Sequence, residues 1–181
     1  MKNREEILAQ FSKLLDVMDD LRTQCPWDRE QTMESIRSLT IEETFELSDA
    51  IIQNDLTEVK KELGDLLLHI VFYSKIASES EVFNIGDVIE SLIEKLIRRH
   101  PHIYGDVEAK DSEKVKQNWE QIKLKEKGNK KNGILDGVPK GLTGIVKAYR
   151  MQEKASQVGF DWNNPADAYK KVEEEWQEYK E

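Results

Sequence analysis

Residues 40–71 of the chain read TIEETFELSDAIIQNDLTEVKKELGDLLLHIV, and this stretch carries the clearest structural signal in the sequence. Two segments with apolar residues at three- and four-residue steps predict helices from about Thr32 to Gln53 and from about Asp55 to Ser78. Because only the polar break at Asn54-Asp55 separates them, we expect an antiparallel helical hairpin. The residues predicted to face the core are Ile36, Leu39, Phe45, Ile51 and Ile52 in the first helix, and Val59, Leu63, Leu66, Leu67, Ile70 and Val71 in the second.

Each helix of this hairpin carries an acidic set. Glu42 and Glu43 lie one turn before Glu46, and Glu62 lies three residues before Asp65, so each set shares a helix face. Counted outward from the break, Glu46 and Glu62 are roughly equally distant, so the two faces should meet. Converging carboxylates repel each other unless a cation joins them, and Mg²⁺ prefers carboxylate oxygens. The alternative is a solvated acidic surface, because 36 of the 181 residues are Asp or Glu.

The flanking sequence predicts two further helices of the same kind. One runs from about Arg4 to Thr23 and ends before Pro26, and the other carries apolar residues from Ile85 to Ile97. Only nine glycines and four prolines interrupt the chain, which favours long helices over strands. Four amphipathic helices with short connections predict an all-α fold, a four-helix bundle.

The character of the chain changes beyond the bundle. We expect a helical bundle over residues 1–105, a charged linker with helices over 106–158, and the start of another unit over 159–181. The linker region predicts a helix from about Glu113 to Lys127, a flexible stretch over 128–133, and a helix from about Lys140 to Val158. A last helix is predicted from Ala166 onwards.

Charge and composition narrow the functional classes. The formal net charge of −9 argues against a nucleic-acid-binding protein with a broad basic face. No apolar run is long enough to span a bilayer, and the lone Cys25 cannot form an intrachain disulfide. We therefore expect a cytoplasmic protein with no membrane partner.

Several short motifs occur along the chain in an order that is typical of one family. They are Cys25-Pro26-Trp27-Asp28, Gln31-Thr32, Glu42-Glu43-Thr44-Phe45-Glu46, Glu62-Leu63-Gly64-Asp65, Arg98-Arg99-His100-Pro101-His102-Ile103-Tyr104, Trp119-Glu120-Gln121-Ile122-Lys123 and Val158-Gly159-Phe160-Asp161-Trp162. Together they resemble the MazG family. The resemblance implies an all-α enzyme that hydrolyses nucleoside triphosphates between the α- and β-phosphates, and a homodimer whose active bundles combine helices of both subunits.

The same resemblance implies a role for each acidic residue of the hairpin. Glu43, Glu46, Glu62 and Asp65 would be the ligands of Mg²⁺. Glu42 would be an auxiliary, catalytic carboxylate that orients or deprotonates the attacking water.

A second group of residues is predicted to bind the substrate. Lys95 and Arg99, four residues apart, match the family's phosphate-binding pair, and Arg98 lies beside them. These cations are also what the dipole at a helix C-terminus favours. Trp27 would either stack on a base or close the end of the bundle.

A partial repeat of the acidic signature lies near the end of the sequence. Glu174-Glu175-x-x-Glu178 follows the Val158-Gly159-Phe160-Asp161-Trp162 motif, as in the start of a second tandem copy of the bundle. No second Glu-x-x-Asp follows it, so this copy is expected to be incomplete. The alternative function is therefore a helical module that dimerises, or binds nucleotide or metal, without catalysis.

Overall fold

The structure, a computed structural model, describes residues 2–105, 111, 114–115, 118–119, 122, 126, 133, 135–156, 158–162 and 164–180. In this part of the chain the regular elements are all α-helical, which confirms the predicted fold class. The helices are α1 (Arg4–Gln24), α2 (Pro26–Glu30), α3 (Met33–Ile52), α4 (Leu56–Glu79), α5 (Ile85–Arg99), α6 (Pro101–Tyr104), α7 (Gly144–Ser156) and α8 (Pro165–Glu178). Among the described helices, none has the length and apolar character that crossing a membrane requires.

The chain divides into two compact units, Met1–Trp119 and Glu120–Glu181. The first contains α1 to α6, and the second contains α7 and α8. The helix predicted from Glu113 to Lys127 and the flexible stretch over 128–133 fall mostly outside the described residues.

Helices α3 and α4 form the predicted hairpin, and local hydrogen bonds define its turn. Asn54 has a left-handed backbone (φ 57°), which asparagine tolerates better than most residues. The amide N–H of Asp55 donates to the carbonyl of Ala50 at 3.0 Å, and that of Asn54 donates to Ile51 at 3.1 Å. This is the bonding pattern of a Schellman helix end. The Asp55 side chain then caps α4 by accepting from the amide N–H of Thr57 at 2.9 Å.

The core of the first unit lies where α1, α3 and α4 meet. Its buried members are Met18, Ile36, Val71 and Phe72. On the flank of this core, the hydroxyls of Thr40 and Tyr73 lie 2.6 Å apart and link α3 to α4 directly. The side chains that pack around the buried members are Phe11, Leu14, Leu15, Leu68, Tyr73 and Ile76.

Several residues predicted for the core are exposed in the single chain. Phe45 is 56% exposed, Leu63 53%, and Ile52 78%. The same holds for Ile51, Leu67 and Ile70. The periodicity identified apolar faces correctly, but within the described residues of one chain these faces have no covering element. The prediction that they contribute to this chain's core was therefore wrong.

The break at Cys25-Pro26 contains a short helix that the sequence analysis did not predict. Proline removes one backbone donor, but at the first position of a helix that donor has no intrahelical partner. The chain therefore leaves α1 at Cys25, and Pro26 is the first residue of α2.

Candidate metal centre

Three carboxylates of the hairpin converge on one point. One oxygen from each of Glu43, Glu62 and Asp65 lies within 4.8 Å of the other two. Glu43 comes from α3, and the other two come from adjacent turns of α4. The short turn sets the register of the two helices, so that the acidic faces meet as the spacing predicted.

Glu62 is the buried member of this cluster, with 2% of its surface exposed. Its Oε1 accepts a hydrogen bond from Lys61 Nζ at 2.7 Å. Its Oε2 is buried and has no hydrogen-bond partner in the described part of the chain. A buried carboxylate oxygen without a donor is energetically costly, and a coordinated cation would remove that cost.

The pKa values of two carboxyl groups in the cluster, Glu43 and Glu62, shift in opposite directions. Burial, the adjacent Glu62 side chain and the negative charges of Asp65 and Glu46 raise the pKa of Glu43. The hydrogen bond from Lys61 lowers the pKa of Glu62, against the opposing effect of burial. One carboxyl therefore holds its proton more tightly while its neighbour stays ionised, as expected where like charges share a small space.

The other two acidic residues of α3 lie beside this cluster. Glu46 is exposed, and it lies close enough to raise the pKa of Glu43 and to lower that of Glu62. Glu42 is exposed on the same helix and lies outside the group of three converging carboxylates. Both predicted roles, ligand for Glu46 and auxiliary carboxylate for Glu42, remain predictions.

His69 lies one turn after Asp65 on α4 and is only 7% exposed. Its Nδ1 is buried and makes no hydrogen bond within the described residues. Burial lowers the pKa of His69, while the Asp65 charge opposes that shift. The ring is therefore a mostly neutral part of the interior beneath the carboxylates.

The predicted phosphate-binding cations lie at the end of α5, which contacts α4 and α6. Lys95 and Arg99 are partly buried, and Arg98 is exposed. The Arg99 guanidinium lies 5.7 Å from the centre of the Trp119 ring, a cation–π distance. Trp119 belongs to one of the motifs in the sequence, but it was not predicted as a site residue.

Trp27 lies on α2, away from the carboxylates of its own chain. Arg22 donates hydrogen bonds to the Asp28 carbonyl and to Glu79, and so holds α2 at the C-terminal end of α4. Asp65 precedes Glu79 along α4 by roughly 20 Å of helix axis, at about 1.5 Å per residue. Trp27 itself is 56% exposed, and its contact with a base remains a prediction.

The second acidic signature lies on α8 and has local cationic partners. Lys171 Nζ lies 2.6 Å from Glu174 Oε1 and 3.2 Å from Glu175 Oε1, both on the same helix. These pairs are ordinary contacts of a helix surface. They leave the prediction of an incomplete second copy open.

The residue that the sequence analysis missed is Lys61. It is the described cation in contact with the carboxylate cluster, and its position directly before Glu62 was the available signal. Helical spacing did not suggest the contact, because neighbouring positions on a helix point in different directions.

The helical fold and the carboxylate centre define an all-α protein with a candidate site for a hard divalent cation. Comparison with known proteins agrees: residues 31–104 match the model of the MazG nucleotide pyrophosphohydrolase domain. The chain belongs to the MazG family.

The sequence similarity to individual proteins covers more of the chain than the matched domain. The chain is 47% identical to the nucleoside triphosphate pyrophosphohydrolase/pyrophosphatase MazG of Thermotoga maritima, over 94% of this chain and 66% of that protein. It is 40% identical to the nucleoside triphosphate pyrophosphohydrolase of Escherichia coli K12, over 93% of this chain and 65% of that protein. The chain thus spans about two thirds of the length of these relatives.

A solved structure supports the fold independently. The crystal structure of a mazG-related protein from Thermotoga maritima matches with a TM-score of 0.55 and 22% identity. The match covers 62% of this chain and 98% of that one. At this identity the likeness supports the helical architecture alone.

Proposed function

We propose that this chain hydrolyses nucleoside triphosphates between the α- and β-phosphates. One water is consumed, the bridging P–O bond breaks, and a nucleoside monophosphate and pyrophosphate are released. The observation that carries the proposal is the convergence of Glu43, Glu62 and Asp65, together with the buried Glu62 Oε2 that makes no hydrogen bond within the described residues. The names of the relatives from Thermotoga maritima and Escherichia coli support the substrate class.

The residues of the centre fit Mg²⁺. All the converging ligand atoms are carboxylate oxygens, and the orphaned Glu62 Oε2 is one that a cation would satisfy. Glu43, Glu62 and Asp65 would hold the ion, and Glu46 would join them by a rotation of its exposed side chain. When bound, Mg²⁺ neutralises triphosphate charge and lowers the pKa of a coordinated water.

The remaining predicted residues would supply a proton acceptor for the attacking water and positive charge for the phosphates. Glu42, exposed beside Glu43 on α3, would orient the attacking water or accept its proton. Lys95, Arg98 and Arg99 would balance the phosphate charge that the cation leaves uncompensated. The free thiol of Cys25 agrees with a reducing cytoplasm as the location.

We further propose that the active form is a homodimer. Phe45 and Leu63 are more than half exposed, although they lie in the two helices that carry the carboxylates. A second copy of the hairpin would cover them and would complete a bundle around the site. Light scattering should give twice the chain mass of 21.1 kDa, and Phe45→Glu should reduce it to that of one chain. The matched control is Val17→Glu on α1, where Val17 is 42% exposed; a monomeric parent chain would contradict the proposal.

Product analysis tests the reaction. We expect phosphorus NMR to show monophosphate and pyrophosphate when the chain is incubated with a nucleoside triphosphate and Mg²⁺. Glu46→Gln should lose this product, whereas Glu34→Gln, in the exposed first turn of the same helix, should retain it. Formation of a diphosphate and inorganic phosphate would contradict the cleavage position.

A non-catalytic binding module is the alternative, and the same experiment separates the two. A folded chain that binds Mg²⁺ and nucleotide without releasing any product would establish the module.

A further inference from the structure

Lys61 contacts the buried member of the carboxylate cluster in an unusual way. Its Nζ lies 2.7 Å from Glu62 Oε1 and 3.6 Å from Glu58 Oε2. Glu58, one turn earlier, is the neighbour that helix geometry would pair with Lys61, yet the shorter contact is with the adjacent residue. Adjacent side chains diverge by about 100° around a helix axis. The lysine stem therefore bends along α4 to reach Glu62, which indicates attraction by the cluster's negative charge.

The two partners of this contact differ in how much water reaches them. The Glu62 side chain is 3% exposed, whereas the Lys61 side chain is 59% exposed. Glu62 therefore needs a cation to remain ionised in the interior, but Lys61 does not need Glu62. A lysine ammonium is a hydrated point charge on a flexible stem, so it can return to water at little cost.

A divalent cation and this ammonium would compete for the same acidic group. Both are attracted by Glu62, and two cations a few ångströms apart on one carboxylate repel each other strongly. The Lys61 side chain is largely exposed, and a solvated lysine is charged at neutral pH, so it does not relieve that repulsion by losing its proton.

We propose that Lys61 is an exchangeable counter-ion of the carboxylate centre: it pairs with Glu62 when no divalent cation is bound, and it leaves when one binds. This inference rests on the proposed function, because it assumes that the centre binds a divalent cation. Lys61 then limits the affinity of the centre for free cation. The released ammonium is left beside the site, where the phosphates of an incoming nucleotide offer it a new anionic partner.

Calorimetric titration of Mg²⁺ alone into metal-free protein tests the exchange. We expect Lys61→Met to tighten Mg²⁺ binding by about tenfold, because the competing charge is gone. The matched control is Lys60→Met, which removes the same charge from the exposed neighbouring position on α4. It should change the dissociation constant by less than about twofold, since a charge farther from the centre is screened by solvent and salt.

The unfolding temperature gives a readout that does not depend on activity. Without Mg²⁺, Lys61→Met should melt below the parent chain, because Glu62 has lost its cationic partner. With saturating Mg²⁺ the two should melt at nearly the same temperature. If Lys61→Met and Lys60→Met behave alike in both measurements while the parent binds Mg²⁺, the proposed exchange of Lys61 is contradicted. The proposal that the centre binds Mg²⁺ is then still supported. If the parent itself binds no Mg²⁺, the proposed centre fails, and the role of Lys61 fails with it.

Chemical labelling of the unaltered chain observes the release directly. A lysine held by a carboxylate reacts with an acylating reagent more slowly than a solvated one. Saturating Mg²⁺ should therefore raise the labelling rate of Lys61 severalfold and leave that of Lys60 unchanged, as read by peptide mass spectrometry. A Lys61 rate that does not respond to bound Mg²⁺ would show that the ion pair persists, and would overturn the inference.

Discussion

Near its C-terminal end α4 places Glu79 against Arg22, whereas nearer its N-terminal end it places Glu62 beside Glu43 and Asp65. The Arg22 guanidinium donates to both Glu79 oxygens, at 2.8 and 2.5 Å, and to the carbonyls of Asp28 and Gln31. It also lies 5.5 Å from the centre of the Phe72 ring. At the other end, three carboxylates converge, and the exposed Lys61 contacts one of them, Glu62.

The comparison distinguishes charged side chains that stabilise the fold from charged side chains that are arranged to bind a ligand. At the Arg22–Glu79 pair the opposite charges and the backbone carbonyls satisfy one another, so nothing is left for an external ion to improve. At the carboxylate centre a buried oxygen has no hydrogen-bond partner among the described residues, which costs stability, and proteins keep such costs mainly at functional sites. The two ends should therefore respond to substitution in opposite ways.

The largest expected effect is the loss of activity in Glu62→Gln. The carboxamide keeps the shape but removes the charge that would hold a cation, so product formation should fall by roughly 100-fold or more. The Mg²⁺-induced rise in unfolding temperature should disappear as well. The control is Glu79→Gln, which should lower stability and leave the Mg²⁺-induced rise intact. A Glu62→Gln variant that still gains stability from Mg²⁺ would contradict the assignment of metal binding to the Glu62 end of α4.

Arg22→Met should produce the largest loss of stability. It leaves Glu79 and two backbone carbonyls without their donor and should lower the free energy of unfolding by on the order of 2–3 kcal/mol, since Glu79 is partly exposed. Urea denaturation of the metal-free chain measures this. The control is Arg29→Met on the exposed face of α2, with an expected change within about 0.5 kcal/mol. Equal effects of the two substitutions would show that the Arg22 contacts add no stability.

Acid should weaken the Arg22–Glu79 pair over a defined pH range. The hydrogen bond from Arg22 lowers the pKa of Glu79 below its ordinary value of 4.5. A carboxyl whose pKa is lower in the folded state adds stability above its unfolded pKa, and this stability is lost as the pH falls through the folded pKa. Glu79→Gln should therefore be less stable than the parent at pH 7, and the difference should shrink below pH 4.5. Chemical denaturation across pH 3–7 checks this, and a constant difference would count against the ion pair as its source.

The smallest expected effect compares the turns next to the two ends of α4. Glu81 follows the Arg22–Glu79 pair with a left-handed backbone (φ 54°), which is costly for glutamate. Glu81→Gly should raise the free energy of unfolding by about 1 kcal/mol. Asn54→Gly, at the turn before α4, should raise it less, because asparagine already tolerates φ 57°. Thermal unfolding of both variants measures the order, and an equal gain would show that backbone strain does not distinguish the turns.

The sequence was sufficient to predict the longer helices and the meeting of the acidic faces of α3 and α4, but not the short helices α2 and α6. The Asn54-Asp55 break set the hairpin, and the two acidic faces meet as predicted. Glu43 converges with Glu62 and Asp65, however, whereas the distances from the break had matched Glu46 to Glu62. Periodicity shows which face is apolar but not what covers it, so the exposure of Phe45 was missed.

The contacts made by arginine and lysine were harder to predict. Arg22 and Glu79 are 57 residues apart, a separation at which no helical spacing links them. Lys61 and Glu62 are adjacent, but only the burial of Glu62 reveals why the lysine bends toward it. Long, flexible cationic side chains choose among many neighbours, and three-dimensional packing determines that choice.

The short turn between α3 and α4 has a consequence for how the chain folds. Because Ala50 and Asp55 are already joined by a backbone hydrogen bond, closing the hairpin costs little loop entropy. Contacts between residues close in sequence form early in folding, and the whole carboxylate cluster lies between Glu43 and Asp65. The carboxylates of the cluster therefore repel each other at a stage when the rest of the chain is still disordered. A divalent cation present at that stage would speed folding itself, so refolding rates should rise with Mg²⁺ as well as the final stability.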